Sequence, residues 1–222
     1  MTLELILLII ESVLLVVTVV LLLYNIHEGK ERDKLLREVG KATRILTRHE
    51  YFLTLMESML DAKQEIIGCI TGRPPSGDDV RMTQSIVDTI ERMAGKGVRI
   101  KYLLPKFPDR LQIGIRYTKA GAEVLFSNCL MVHNIRYSIV DERIVVLGIP
   151  EITGEAEATK KGFKIPSTEL SLILKNYFNT CENQIHLQDY LFEIMEQTGA
   201  TPEHLAREFH LAEEDLRKFV SR

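Results

Sequence analysis

Four residues stand out for what their types and spacing could do: Asn134, Arg136, Asp141 and Gly148, with His133 beside them. Arg136 is a fixed cation whose planar fork of donors can grip a phosphate or carboxylate with two parallel hydrogen bonds. His133 is the candidate catalytic residue, because an imidazole can act as a nucleophile, whereas the amide of Asn134 cannot. Asp141 is the nearest carboxylate in sequence that could pair with Arg136. Polar groups set among apolar strand residues need partners, since burying them unpaired is costly. The set calls for no metal and no cofactor.

The elements that must hold these residues lie in 132–151. Ile135, Tyr137 and Ile139 alternate, Asp141-Glu142-Arg143 makes a polar turn, and Ile144 to Leu147 form a continuous apolar run. That is a strand, a tight turn and a second strand ended by Gly148 and Pro150. In such a strand Asn134, Arg136 and Ser138 share one face and His133 points to the other, unless a one-residue bulge brings it round. The stretch resembles the phospholipase D superfamily, whose motif is a His, a Lys two residues on, an Asp five after the Lys and a Gly seven after the Asp. Arg136, Asp141 and Gly148 match with Arg for Lys. Asn134 occupies the nucleophile position, and Ile149 and Glu151 stand where Ser and Asn often follow. The resemblance implies an anion-binding pocket without turnover. The rival reading takes His133 as the nucleophile of a membrane-bound phosphodiesterase, a phospholipase or nuclease. It would have to dimerise, because the family builds its site from two motifs and this chain has one.

The flanks carry the resemblance from residue 51 to 183. Strands at 65–70, 98–104 and 123–126 alternate with helices at 80–94 and 111–119, and a capped helix opens at 166–169. Alternation of this kind predicts an α/β fold, a phospholipase D-like sheet with helices on both faces. Residues 151–164, with two glycines and a run of charges, read as a loop near the mouth of the pocket.

The chain has 222 residues and a net charge of -3, which excludes a globally basic nucleic-acid binder. Residues 5–24 are predominantly apolar, with the intramembrane Glu11 as their only charge, and read as a transmembrane anchor within 1–26. Lys30, Arg32, Lys34, Arg37, Lys41, Arg44 and Arg48 follow, so the expectation is a single-pass protein of the cell membrane, partnered by the lipid bilayer, with its C-terminal bulk in the cytoplasm. Leu35, Val39, Ala42, Leu46, Leu53, Met56 and Leu60 give a heptad seam running from a juxtamembrane helix at 27–50. The seam supports either a homodimer or an amphipathic helix lying on the domain or on the membrane. Cys69, Cys129 and Cys181 are odd in number and widely spaced, which predicts three small buried hydrophobes in a reducing compartment and no metal cluster.

After the phospholipase D-like stretch, 51–185, a helical tail occupies 186–222. Leu205, Ala206, Phe209, Leu211, Leu216 and Phe219 have the spacing of a helix-turn-helix, with His210 where a glycine turn is preferred. Glu213, Glu214 and Asp215 would meet DNA phosphates first, and Arg217, Lys218 and Arg222 are the candidate DNA contacts. A degenerate phospholipase D-like domain joined to such a motif also resembles the TrmB family of transcription regulators, in which the domain senses small molecules. There the DNA-binding part comes first, and here the order is reversed. The combined expectation is a membrane-anchored, non-catalytic, ligand-sensing or regulatory scaffold, transcriptional regulation included, whose partner is an anionic small molecule, a protein or DNA.

Overall fold

The computed structural model describes residues 13–21, 44–75, 77, 79–150 and 159–220. The chain divides into two units, Met1–Ala42 and Thr43–Arg222. In the first, residues 13–21 are helical. Such a stretch spans about 14 Å at about 1.5 Å per residue, roughly half the thickness of bilayer hydrocarbon. Among the described residues no helix is long and apolar enough to cross a membrane. That finding overturns the reading of a single-pass membrane protein with a cytoplasmic C-terminal bulk. Glu11 and the basic residues Lys30 to Lys41 lie outside the described residues.

The second unit runs β1 (Arg44–Thr47), α1 (Arg48–Leu60), β2 (Glu65–Cys69), α2 (Asp79–Gly95), β3 (Arg99–Pro105), a 3-10 turn (Pro108–Arg110), α3 (Leu111–Lys119), β4 (Glu123–Ser127), α4 (Leu130–Asn134), β5 (Arg136–Val140), β6 (Ile144–Pro150), β7 (Thr159–Pro166), α5 (Thr168–Thr180), β8 (Ile185–His186), α6 (Leu187–Thr198), α7 (Pro202–Glu208) and α8 (Glu213–Val220). One mixed sheet holds all eight strands in the order β1-β7-β6-β5-β2-β3-β4-β8. β2, β3 and β4 are parallel, and the remaining pairings are antiparallel.

Successive strand residues bury into two separate layers. On one face Ile66, Tyr102, Leu104 and Val140 join Tyr51 and Met59 of α1, Ile90 of α2, Leu111 of α3 and Leu191 of α6 in a single core. On the other, Ile67, Leu103, Tyr137 and Val145 are buried, as are Leu174 and Phe178 of α5. The Tyr137 hydroxyl donates to the Leu174 carbonyl at 3.1 Å and fixes α5 there. Helices therefore cover both faces, as the alternating pattern predicts. The tail shares the first core through Leu187, Ile194, Leu205, Ala206 and Leu216.

Several elements differ from the sequence reading. Strand β7 takes up 159–164 of the loop expected at 151–164, pairing with β6 on one side and β1 on the other. Arg44–Thr47 is an edge strand on β7, with Leu46 inward and its neighbours exposed, so the expected helix at 27–50 is not helical there. Helix α1 begins only after Thr47, which caps it in a reciprocal box with Glu50. Residues 130–134 form α4 rather than the start of a strand. The chain must pass from β4 over β3 and β2 to reach β5, three strand spacings or about 14 Å, and an extended continuation of β5 would not make that crossing. Finally, Cys129 and Cys181 form a disulfide with their Cα atoms 5.9 Å apart, which corrects the expectation of three unpaired thiols. Cys69 alone is a buried free thiol, pushed up to about 12 by burial.

Candidate functional site

Arg136 opens β5, and its partner across the ladder is Gly148 of β6; Gly148 pairs in turn with Gly162 of β7, and Gly162 with Leu46 of β1. Residues opposite one another in an antiparallel ladder project from the same face. Two adjacent glycines thus leave a slot in the sheet surface next to the guanidinium. Tyr51 of α1 packs into it: a Cβ placed on Gly162 would lie 2.6 Å from the Tyr51 ring and 2.9 Å from its Cβ. Gly148, singled out by spacing, belongs to this slot, while Gly162 and Tyr51 are residues that spacing did not flag. Burial pushes the Tyr51 hydroxyl up to about 12 against the pull of the neighbouring Arg136 charge, so it stays protonated at neutral pH.

Arg136 and Tyr51 line a cavity of about 370 Å³ at the carboxyl end of β2. Its walls include Leu55, Ile70, Ile86, Ile113 and Tyr117, and its polar groups are Arg48, Arg73, Arg136, Asp79, Thr71 and Thr83. Arg136 is only 9% exposed, whereas Arg48, Arg73 and Asp79 are half-buried. Arg48, in the first turn of α1, forms an ion pair with Asp79, the first residue of α2. Three guanidiniums and the carboxylate of Asp79 thus meet among the described residues of the wall, and a planar guanidinium is a group that can grip an anion. The capping box Thr47-Arg48-His49-Glu50 marks where α1 begins, and an arginine among Gly72, Pro74 and Pro75 sits in the loop leaving a parallel strand. Those are the sequence signals that could have led to Arg48 and Arg73.

Asp141 is elsewhere. It lies at the far end of β5 from Arg136, about 16 Å along a strand at about 3.3 Å per residue. Its carboxylate accepts the backbone N–H groups of Lys63, Gln64 and Glu65 at 2.8, 2.8 and 3.0 Å. Desolvation raises its pKa, but the hydrogen bonds from Glu65, Lys63 and Gln64, with the Arg143 charge, outweigh it and hold the carboxyl below its ordinary value. Asp141 and Glu142 have φ of 50° and 53°, and Arg143 N–H donates to Val140 O at 3.0 Å. The turn is of the hairpin type with two left-handed central residues. The suggested Arg136–Asp141 pair therefore does not form, and Asp141 anchors the hairpin instead.

His133 and Asn134 end α4, ahead of β5. The His133 ring stacks edge-on against Phe107, with centroids 5.3 Å apart, and His133 is absent from the cavity wall. No histidine among the described residues lines that cavity. In the tail, Arg217 pairs with Glu203 at 3.0 Å and with Glu213 at 2.6 Å, and Lys218 is exposed. Asp215, at the start of α8, is bound by Lys119 of α3 at 2.9 Å. His210 takes up φ of 52°, the left-handed turn that separates α7 from α8. Arg222 lies outside the described residues. No group of three or more His, Cys, Asp or Glu among the described residues is placed to hold a metal ion.

No family model matches the chain, and no curated protein does. Solved structures do. NucT from Helicobacter pylori is similar at 16% identity and a TM-score of 0.50, over 65% of this chain and 98% of that one. Nuc from Salmonella typhimurium, a phospholipase D family member, is similar at 13% identity and a TM-score of 0.49, over 65% and 96%. TrmBL2, an archaeal chromatin protein, is similar at 19% identity and a TM-score of 0.46; 69% of this chain is covered, and the match spans 60% of TrmBL2. The likeness to NucT is one of fold alone.

Proposed function

Starting from a phospholipase D-like fold, we propose that this protein binds a small anionic ligand at Arg136 and does not hydrolyse it, serving as a ligand-sensing or regulatory domain. The observation that carries the reading is the cavity wall: the nearly buried Arg136 beside Arg73, Arg48 and Asp79, with no imidazole among the described lining residues. A guanidinium at the floor supplies two aligned donors to phosphate or carboxylate oxygens, and the apolar walls lower the local dielectric and strengthen that grip. The volume of about 370 Å³ suits a small molecule. Turnover of a phosphodiester by the family's route needs an imidazole on phosphorus, and His133 is engaged with Phe107 instead.

The test is calorimetric titration with inorganic phosphate, pyrophosphate and a nucleoside monophosphate, run beside a hydrolysis assay on an aryl phosphodiester. Saturable binding that Arg136→Ala abolishes, without hydrolysis, is the expected result. Sustained hydrolysis that His133→Ala removes would replace this reading with the phosphodiesterase one.

The tail reads as a brace rather than a DNA reader. The acidic start of α8 is bound to the domain through Asp215 and Lys119, and Arg217 is committed to two carboxylates. A gel shift on mixed DNA at low and moderate salt should show no binding that depends on Arg217 and Lys218.

A further inference from the structure

A second cavity, of about 740 Å³, is lined by both sulfur residues of the disulfide together with Leu130, Ile135, Leu174 and Tyr177. Cys129 and Cys181 are half-buried rather than sealed in the core. We propose that the Cys129–Cys181 bridge is a thiol–disulfide exchange site, opened and closed by a small-molecule thiol that enters the cavity it lines. This inference is independent of the anion-binding reading.

The bridge joins two distant loops across 52 residues of sequence. Cys129 immediately precedes α4, and Cys181 is the residue that ends α5. Ser127, fully buried, sits between them. Its Oγ accepts the Cys129 N–H at 3.0 Å, donates to the Glu182 carbonyl at 2.9 Å and stands 3.3 Å from the Cys181 sulfur. A hydroxyl carries one proton. While the bridge is closed that proton serves the Glu182 carbonyl, and when the bridge opens the hydroxyl can turn it to a Cys181 thiolate. A hydrogen bond that favours the thiolate makes Cys181 the better leaving group and Cys129 the sulfur attacked.

The exchange balances in two steps. The thiolate of a first small thiol attacks Cys129 Sγ; the Cys129–Cys181 bond breaks, a mixed disulfide forms on Cys129, and Cys181 leaves as a thiolate that takes a proton from water. A second small thiolate attacks the sulfur of the small molecule in that mixed disulfide and departs as the oxidised small-molecule dimer, while Cys129 leaves as a thiolate that takes a proton from water. Two electrons pass from the two small thiols to the protein. Opening removes the covalent tie at the start of α4, a five-residue helix whose contacts include the buried Val132 and the His133–Phe107 pair.

The experiment equilibrates the full chain with oxidised glutathione, then applies graded ratios of reduced to oxidised glutathione without denaturant. Thiols are trapped with iodoacetamide and located by peptide mass spectrometry, and amide exchange is followed in parallel. Cys129 and Cys181 should become labelled together while the buried Cys69 stays unlabelled, the glutathione adduct should sit on Cys129, and exchange should rise at residues 128–134 but not in β5 or β6. Ser127→Ala should slow opening about tenfold, the loss of one hydrogen bond to a charged group, and move the pH profile of the reverse, closing step to higher pH. The double variant Cys129→Ser with Cys181→Ser should show the raised exchange at 128–134 without any thiol. A bridge that resists glutathione until the domain unfolds in urea, an adduct confined to Cys181, or unchanged exchange at 128–134 in the open or doubly substituted chain would each overturn the proposal.

Discussion

At its first residue β5 presents Arg136 to a cavity open to solvent, whereas at its last it enters a turn whose Asp141 carboxylate accepts three backbone N–H groups. One strand thus has a cavity end, the binding end of the proposed function, and a fastening end. The binding end is built from absences: Gly162, paired with Gly148 on one ladder rung, makes room for Tyr51. The fastening end is built from saturation, since the carboxylate is occupied by the chain entering β2. A motif spaced along one strand can therefore hold residues with unrelated work, and spacing alone does not say which is which.

The comparison breaks if the fastening end proves dispensable. Asp141→Ala removes an ionic acceptor from three donors and puts a β-carbon without a compensating side chain at φ of 50°. Hydrogen bonds to charged groups and the strain together predict a loss of about 3 kcal/mol or more, read by urea unfolding. The same carboxylate sets an acid limit. Its folded pKa lies below the ordinary aspartate value, so its contribution is complete above that value and is lost as pH falls through the folded one. Asp141→Asn should flatten that acid limb. An unchanged limb would mean that the three hydrogen bonds do not stabilise the hairpin.

The binding end is probed next by Gly162→Ala. The new methyl meets Tyr51 at 2.6 Å, so ring and helix α1 must shift, at a cost of about 1–3 kcal/mol with distortion of the cavity. Unaltered stability and unaltered anion binding would show that the slot is not tight.

How much of this was readable follows from the same contrast. The hairpin was legible because Tyr137, Ile139 and Val145 are dictated by a buried face and Asp141-Glu142 by turn chemistry. The start of β5 was not, because alternation through Ile135 fits a strand locally while the crossing over β2 and β3 turns the chain away from the strand direction. Leu46 fitted a heptad seam and an edge strand equally. Strand β7 hid behind Lys160, Lys161 and Gly162, whose glycine is explained only by Tyr51, more than a hundred residues earlier. The Cys129–Cys181 pair is likewise a product of the fold with no local signature, whereas Arg48 and Arg73 carried local signals, a capping box and a turn-rich loop, that said nothing of their meeting Arg136. The apolar run at 5–24 was read by composition alone, and the described helix at 13–21 is too short to support that reading.

A smaller effect sharpens what Arg136 contributes. Arg136→Lys keeps the charge and loses the planar fork, so affinity for phosphate should fall about tenfold, near 1.4 kcal/mol, while the melting point without ligand moves little. Equal affinity would mean that the site recognises charge without geometry, in which case Arg48 and Arg73 would share the load. A complete loss would mean that the fork makes every essential contact.

The smallest effect belongs to the residue that first invited a catalytic reading. His133 precedes the binding end by three residues, yet its ring lies edge-on to Phe107 at 5.3 Å and forms no part of the cavity wall. Replacing it by alanine removes one aromatic contact, worth about 0.5–1.5 kcal/mol, and nothing from the anion's surroundings. His133→Ala should therefore lower the urea midpoint slightly and leave phosphate affinity at the wild-type value within a factor of two or so, far less than the tenfold of Arg136→Lys. Calorimetry on the two variants, side by side, reads the difference. A fall in affinity at His133 as large as at Arg136 would place the imidazole in the cavity during binding, and the division of β5 into a binding end and a fastening end would then have to extend back into α4.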